Sequence, residues 1–130
     1  MNNIWKSILL FIKPVIWLAI IFILCLVPPQ DLPGKSLWQI PHFDKLIHFG
    51  MYFILAVLLV RPLKTINWPV WIATLVISAF VGGLIEILQY AVTSMRSANW
   101  GDFGADVAGA GAGLLIYAWL VSGRSWGKWV

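Results

Sequence analysis

A chain of 130 residues has room for one domain, and this one is 61% hydrophobic and 11% charged, with a mean hydropathy of +0.87. Soluble domains sit near 25% charged, so a soluble globular fold is excluded and the composition is that of an integral membrane protein. The net charge of +4 does not mark a nucleic-acid binder, because the nine Lys and Arg stand singly between apolar runs and never form a patch.

A spanning helix needs about 20 mostly apolar residues. Four segments come near that length: Ile8 to Val27, Asp44 to Leu63, Val70 to Val92 and Phe103 to Val121. The expected fold is therefore all-α, a polytopic membrane protein whose single domain, residues 1–130, is a bundle of four transmembrane helices. In the first segment Lys13 can snorkel to the interface, and Pro14 either kinks the helix or begins it. The run is longer than a signal-peptide core, lacks a small-x-small cleavage site and ends at Pro28-Pro29, so it reads as a retained anchor. Leu24 stands where a lipoprotein site wants a small residue, and Cys25 is alone, so the cysteine reads as a small hydrophobe.

Between the first and second segments lies the longest loop, PPQDLPGKSLWQIPHF, which is proline-rich and expected to be irregular. The second and third are joined by a short turn, Pro62 to Pro69. The fourth is unusually small: Gly109 and Gly113 have the four-residue spacing that lets helix backbones approach, with Gly82 and Gly83 of the third as a matching place.

Cytoplasmic loops carry the excess of Lys and Arg. Lys6, Lys13, Arg61, Lys64, Arg124 and Lys128 fall on one side, against Lys35, Lys45 and Arg96 on the other, so both termini are expected in the cytoplasm. The tryptophans agree. Trp5, Trp68, Trp71, Trp126 and Trp129 mark the inner boundary and Trp38 and Trp100 the outer one, while Trp17 and Trp119 lie deeper as lipid-facing or packing residues.

With that orientation every unusual polar residue lands on the outer side. Asp44, His48 and Tyr52, spaced by four, share one helix face; Glu86 and Gln89 are spaced by three, and Asp102 and Asp106 by four, with Arg96 in the loop before them. A carboxylate in the bilayer costs roughly 2.5 to 3.5 kcal/mol on insertion scales, so several together point to function. The expectation is a water-accessible pocket opening outward. Asp44, Glu86, Asp102 and Asp106 face Lys45 and Arg96, which leaves excess negative charge. Protonated His48, a carboxyl that keeps its proton (Glu86 as the deepest), or a bound cation would relieve it.

Asp44-Lys45, His48-Phe49 and Tyr52, then Glu86 with Gln89, then Arg96, then Asp102 and Asp106 ahead of a glycine-rich run ending at Gly113 together resemble the VanZ-like family, from about Asp44 to Leu115. That family is named for a teicoplanin-resistance accessory protein of Gram-positive bacteria. The resemblance implies a small protein of the bacterial inner membrane, some of whose relatives lower susceptibility to glycopeptide antibiotics. One position departs: the family usually has Asn four residues after the second aspartate, and here that place is Ala110.

The functional expectation is a protein that binds or acts on an envelope lipid or lipid-linked cell-wall precursor. His48, oriented by Asp44, would be acid or base, with Glu86 or Asp106 as the second carboxyl. Lys45 and Arg96 would hold an anionic head group, with Tyr52, Gln89 and Asp102 completing the binding set. Thr93, Ser94 and Ser97 lie near but carry no nucleophile motif. No cofactor is called for by a motif; a divalent cation held by His48 and two of Glu86, Asp102 and Asp106 is a lesser reading. Expected partners are membrane lipids and the precursor, with no nucleic acid and the oligomeric state open. Against these stand structural readings: Asp44 and Asp102 as helix N-caps, Arg96 paired with Glu86 or Asp106, Gln89 bonded to a neighbouring helix, and the whole cluster as a scaffold.

Overall fold

In the computed structural model, which describes residues 2–28, 31–34, 36–92 and 99–121, the chain forms four helices: α1 (Asn3–Leu26), α2 (Phe43–Thr65), α3 (Val70–Val92) and α4 (Trp100–Val121). All four are long and apolar enough to cross a membrane. The chain is an all-α polytopic membrane protein, a bundle of four transmembrane helices. A short 3-10 turn, Leu37–Gln39, sits in the α1–α2 connection.

α2 is the central helix. It packs most extensively on α4 and then on α1 and α3. One apolar cluster joins α1, α2 and α3 through Ile21, Cys25, Leu55, Leu59 and Ile85. Another joins α2 to α4 through Ala56, Val60, Ala110, Leu114 and Tyr117. The outward faces are apolar as well: Ile72, Phe80, Ile87, Leu115 and Trp119 are all more than half exposed. Such a surface is stable where the surroundings are lipid tails rather than water.

Helix ends differ from the sequence expectation in physically readable ways. α1 starts at Asn3 rather than Ile8, so Pro14 is inside the helix and buried against its neighbours, and does not begin it. α2 runs to Thr65 past Pro62 and stops at Asn67, whose φ of 57° and backbone bonds from Asn67 to Lys64 and from Trp68 to Leu63 close the helix with a left-handed C-terminal turn. α4 starts at Trp100 rather than Phe103 because Asn99 caps it, its Oδ1 accepting the Gly101 N–H at 2.8 Å. Neither aspartate is an N-cap. His42 precedes α2 without a side-chain cap, and Asp44 and Asp102 lie in the first turns, where the helix dipole favours negative charge.

The glycine pair of α4 meets α2, not α3. A Cβ at Gly109 would run into the Phe49 carbonyl, and one at Gly113 would sit 2.6 Å from the Phe53 carbonyl oxygen. Gly82 and Gly83 of α3 instead receive the side chains of Asp106 and Phe103. Close backbone approach therefore holds α4 on α2, and a glycine floor on α3 admits the Asp106 carboxylate and the Phe103 ring of α4. Trp17 is a packing residue, its Nε1 donating to the Met51 carbonyl at 2.8 Å, whereas Trp119 faces outward.

Candidate functional site

The antiparallel course of α2, α3 and α4 brings the start of α2, the end of α3 and the start of α4 to one end of the bundle. Four of the chain's five acidic residues lie there. His48, Glu86, Asp102 and Asp106 are all buried.

The innermost contact joins α2 to α4: His48 Nδ1 and Asp106 Oδ1 are 2.8 Å apart, with side chains 5% and 1% exposed. The carboxylate that orients His48 is thus Asp106. Asp44, given that task in the sequence reading, is 40% exposed and turns its carboxylate to Lys45 at 3.9 Å. The correction follows from helix geometry: Asp44 lies one turn from His48 on the same helix, at the exposed mouth, while Asp106 faces it across a glycine-tight interface. Asp106 Oδ2 has no hydrogen-bond partner among the described residues and lies against Gly82.

Glu86 reaches in from α3. Its Oε2 accepts the Asn99 backbone N–H at 2.8 Å, tying the end of α3 to the cap of α4. Its Oε1 is buried with no partner among the described residues. Asp102 comes from α4 and accepts from Lys45 Nζ at 3.3 Å. One ligand atom each from His48, Glu86 and Asp102 lie within 4.8 Å of one another.

The remaining predicted residues divide. Lys45 is at the mouth and links α2 to α4 through Asp102. Tyr52 is one turn deeper than His48, wholly buried, its hydroxyl unpartnered among the described residues. Gln89 is 2% exposed, and its amide nitrogen donates to the Cys25 carbonyl at 2.7 Å. That carbonyl belongs to the last turn of α1, where helix geometry leaves acceptors open, so the contact satisfies a backbone group inside the membrane. Arg96, and with it any pairing to Glu86 or Asp106, lies outside the described residues, as do Thr93, Ser94 and Ser97. Ala110 is fully buried in the apolar α2–α4 cluster.

Two cavities flank the polar group. One of about 340 Å³ is lined by Gly83, Glu86, Ile87, Asn99, Trp100 and Phe103. It is apolar except for Glu86 and the α4 cap. The other, about 180 Å³, lies beneath the α1–α2 connection, bounded by Leu32, Trp38, Met51 and His48 among others. His48 and Glu86 therefore each border a space that a ligand could enter. In the sequence Asn99 and Phe103 carry no site signal of their own, Trp100 reads only as an interfacial anchor and Gly82 only as a place for helix approach. A helix-cap signal does exist, since Asn99 followed three residues later by Asp102 is an N-terminal capping pattern.

No curated protein and no solved structure gives a significant match. A family model described as VanZ/LLP1 matches residues 3–121, nearly the whole chain and all four helices that build the cluster. The chain belongs to the VanZ/LLP1 family.

Proposed function

We propose that this chain is a bacterial inner-membrane protein with both termini in the cytoplasm, and that it acts on a lipid-linked envelope precursor in a pocket open to the outer face. The observation that carries the reading is the buried His48–Asp106 pair standing beside Glu86, whose second oxygen is unpartnered at the head of an apolar cleft. An acyl or prenyl chain suits a cleft walled by Ile87, Trp100 and Phe103, and its polar head would then reach the carboxyl and imidazole. The outward direction is supported by the Lys and Arg distribution, six on the termini side and three on the cluster side.

Chemically, a carboxylate accepting the Nδ1 proton leaves the lone pair on Nε2, so His48 can take a proton from water or from a substrate hydroxyl. Glu86 is the second proton-handling group, and Lys45 with Arg96 supplies positive charge for an anionic head. A link to glycopeptide susceptibility is part of the proposal and rests on the resemblance to VanZ-like proteins alone.

The test is a susceptibility assay in a Gram-positive host expressing the chain, paired with cross-linking to a photoreactive polyprenyl phosphate. His48→Ala, Glu86→Ala and Asp106→Ala should each abolish the resistance when it is normalised to the amount of folded protein in the membrane. Full function in all three variants would end the reading. A scaffold role is favoured by one observation, that Lys45–Asp102 and Gln89–Cys25 tie helices together. Retained function in a Glu86→Gln, Arg96→Gln double variant would support that role instead.

A further inference from the structure

We infer that His48, Glu86 and Asp102 form a binding site for one divalent transition-metal ion, zinc or manganese, with Asp106 positioning the imidazole. Three elements each contribute one ligand: α2 the histidine, α3 the glutamate and α4 the aspartate. Their ligand atoms lie within 4.8 Å of one another. Around a tetrahedral ion at about 2.1 Å, donor atoms stand roughly 3.4 Å apart, so small carboxylate rotations close the set.

Proximity of acids alone would not suffice. The independent observation is Glu86: the residue is more than nine-tenths buried and its Oε1 has no hydrogen-bond partner among the described residues. A buried carboxylate oxygen without a donor costs free energy, and a cation at the centre of the three ligands supplies what is missing. The contact behind the histidine has the same sense. A metal-binding imidazole almost always gives its other ring N–H to a carboxylate or carbonyl, and Asp106 stands at 2.8 Å from Nδ1, which leaves Nε2 for the ion.

Charge also agrees. Among the described residues, Asp44, Glu86, Asp102 and Asp106 are countered by Lys45 and, when protonated, His48. Lys45 holds Asp102 Oδ1 at 3.3 Å, and a carboxylate has acceptor positions enough to take an ammonium and an ion together. One imidazole with two carboxylates is a mixed nitrogen and oxygen set, which suits zinc or manganese better than calcium. With the ion bound, His48 Nε2 and Glu86 serve as ligands in place of the proton-handling roles given them above, and the ion would hold a phosphate-bearing head group. That use rests on the lipid reading, but the binding does not.

The test uses the full chain purified in detergent, stripped with a chelator and titrated with Zn2+ or Mn2+ alone. Saturable binding near one equivalent per chain is expected, with the Mn2+ form showing 14N hyperfine coupling from an imidazole that disappears in His48→Gln. Glu86→Gln and Asp102→Asn should lose the ion, and Asp106→Asn should weaken it 10- to 100-fold with helical content unchanged. Lys45→Met, which removes the competing cation, should bind at least as tightly as the parent. No saturable binding of either ion by the folded parent chain overturns the site, as does binding without nitrogen coupling or binding untouched by all four ligand and positioning variants. Bound metal with no polyprenyl-phosphate cross-link would leave the site standing and sink the lipid reading; the reverse result would do the opposite.

Discussion

At the scale of single residues the candidate site depends on one close contact. Asp106 can reach His48 because Gly82 has no side chain: a Cβ there would stand 2.6 Å from Asp106 Oδ2. Gly82→Ala should therefore push Asp106 off His48 and destabilise the fold by about 1 to 3 kcal/mol, the usual range for overpacking. A fall in thermal midpoint, with loss of the His48–Asp106 hydrogen bond in 15N spectra, would register both effects. His48→Ala should be more severe than its size suggests. It leaves a carboxyl that is 1% exposed without its partner, and breaking a buried pair costs about 3 to 5 kcal/mol. His48→Asn, which keeps a donor near Asp106, should recover part of that loss; equal melting of the two variants would show that the pair is not what stabilises Asp106. The sequence placed His48 and Asp106 among the polar set but paired His48 with Asp44. Periodicity reports which residues share a face of one helix and carries no information about which residue faces it from another.

Helices have their own tests. α4 is held to α2 where Gly109 and Gly113 let the Phe49 and Phe53 backbones approach. Gly113→Val should separate the pair, lowering thermal stability by at least about 1 kcal/mol and exposing Ala56 to labelling or exchange, while the same change at Gly111, which has open space around it, should be nearly silent. Gln89→Leu should release the end of α1, and the cost should be modest, about 0.6 kcal/mol and not above about 1.7, because interhelical hydrogen bonds in membranes are weak in net terms. Spans were legible in the sequence because a bilayer imposes length and apolarity on every helix. α3 was read to its end residues, Val70 and Val92. Helix partners were not legible. The small-residue spacing of α4 says that something approaches closely, and either Gly82-Gly83 or the smooth backbone of α2 would answer to it.

For the whole molecule, the consequence of four spans is that the polar cluster occupies one end and the apolar surface wraps the rest. Cysteine substitutions test which end faces outward: Gln39→Cys, on the connection beside the cluster, should react in intact cells with a membrane-impermeant maleimide, and Lys64→Cys, at the far end of α2, should react only after lysis. The reverse pattern would turn the pocket toward the cytoplasm and remove the envelope precursor from consideration. Phe103 is an apolar wall residue in a chain made mostly of apolar residues, so no pattern distinguishes it until the fold does, and Trp100, legible as an interfacial anchor, gains its place in the cleft wall only from the fold. The central claim is that His48 of α2 and Asp106 of α4 meet at one buried point. Solid-state NMR on the chain in bilayers, with labelled histidine nitrogens and aspartate carboxyl carbons, measures this directly. A dipolar coupling between His48 Nδ1 and the Asp106 carboxyl carbon is expected, and it should vanish in Asp106→Leu. Absence of that coupling in the parent chain would contradict the site and every function built on it.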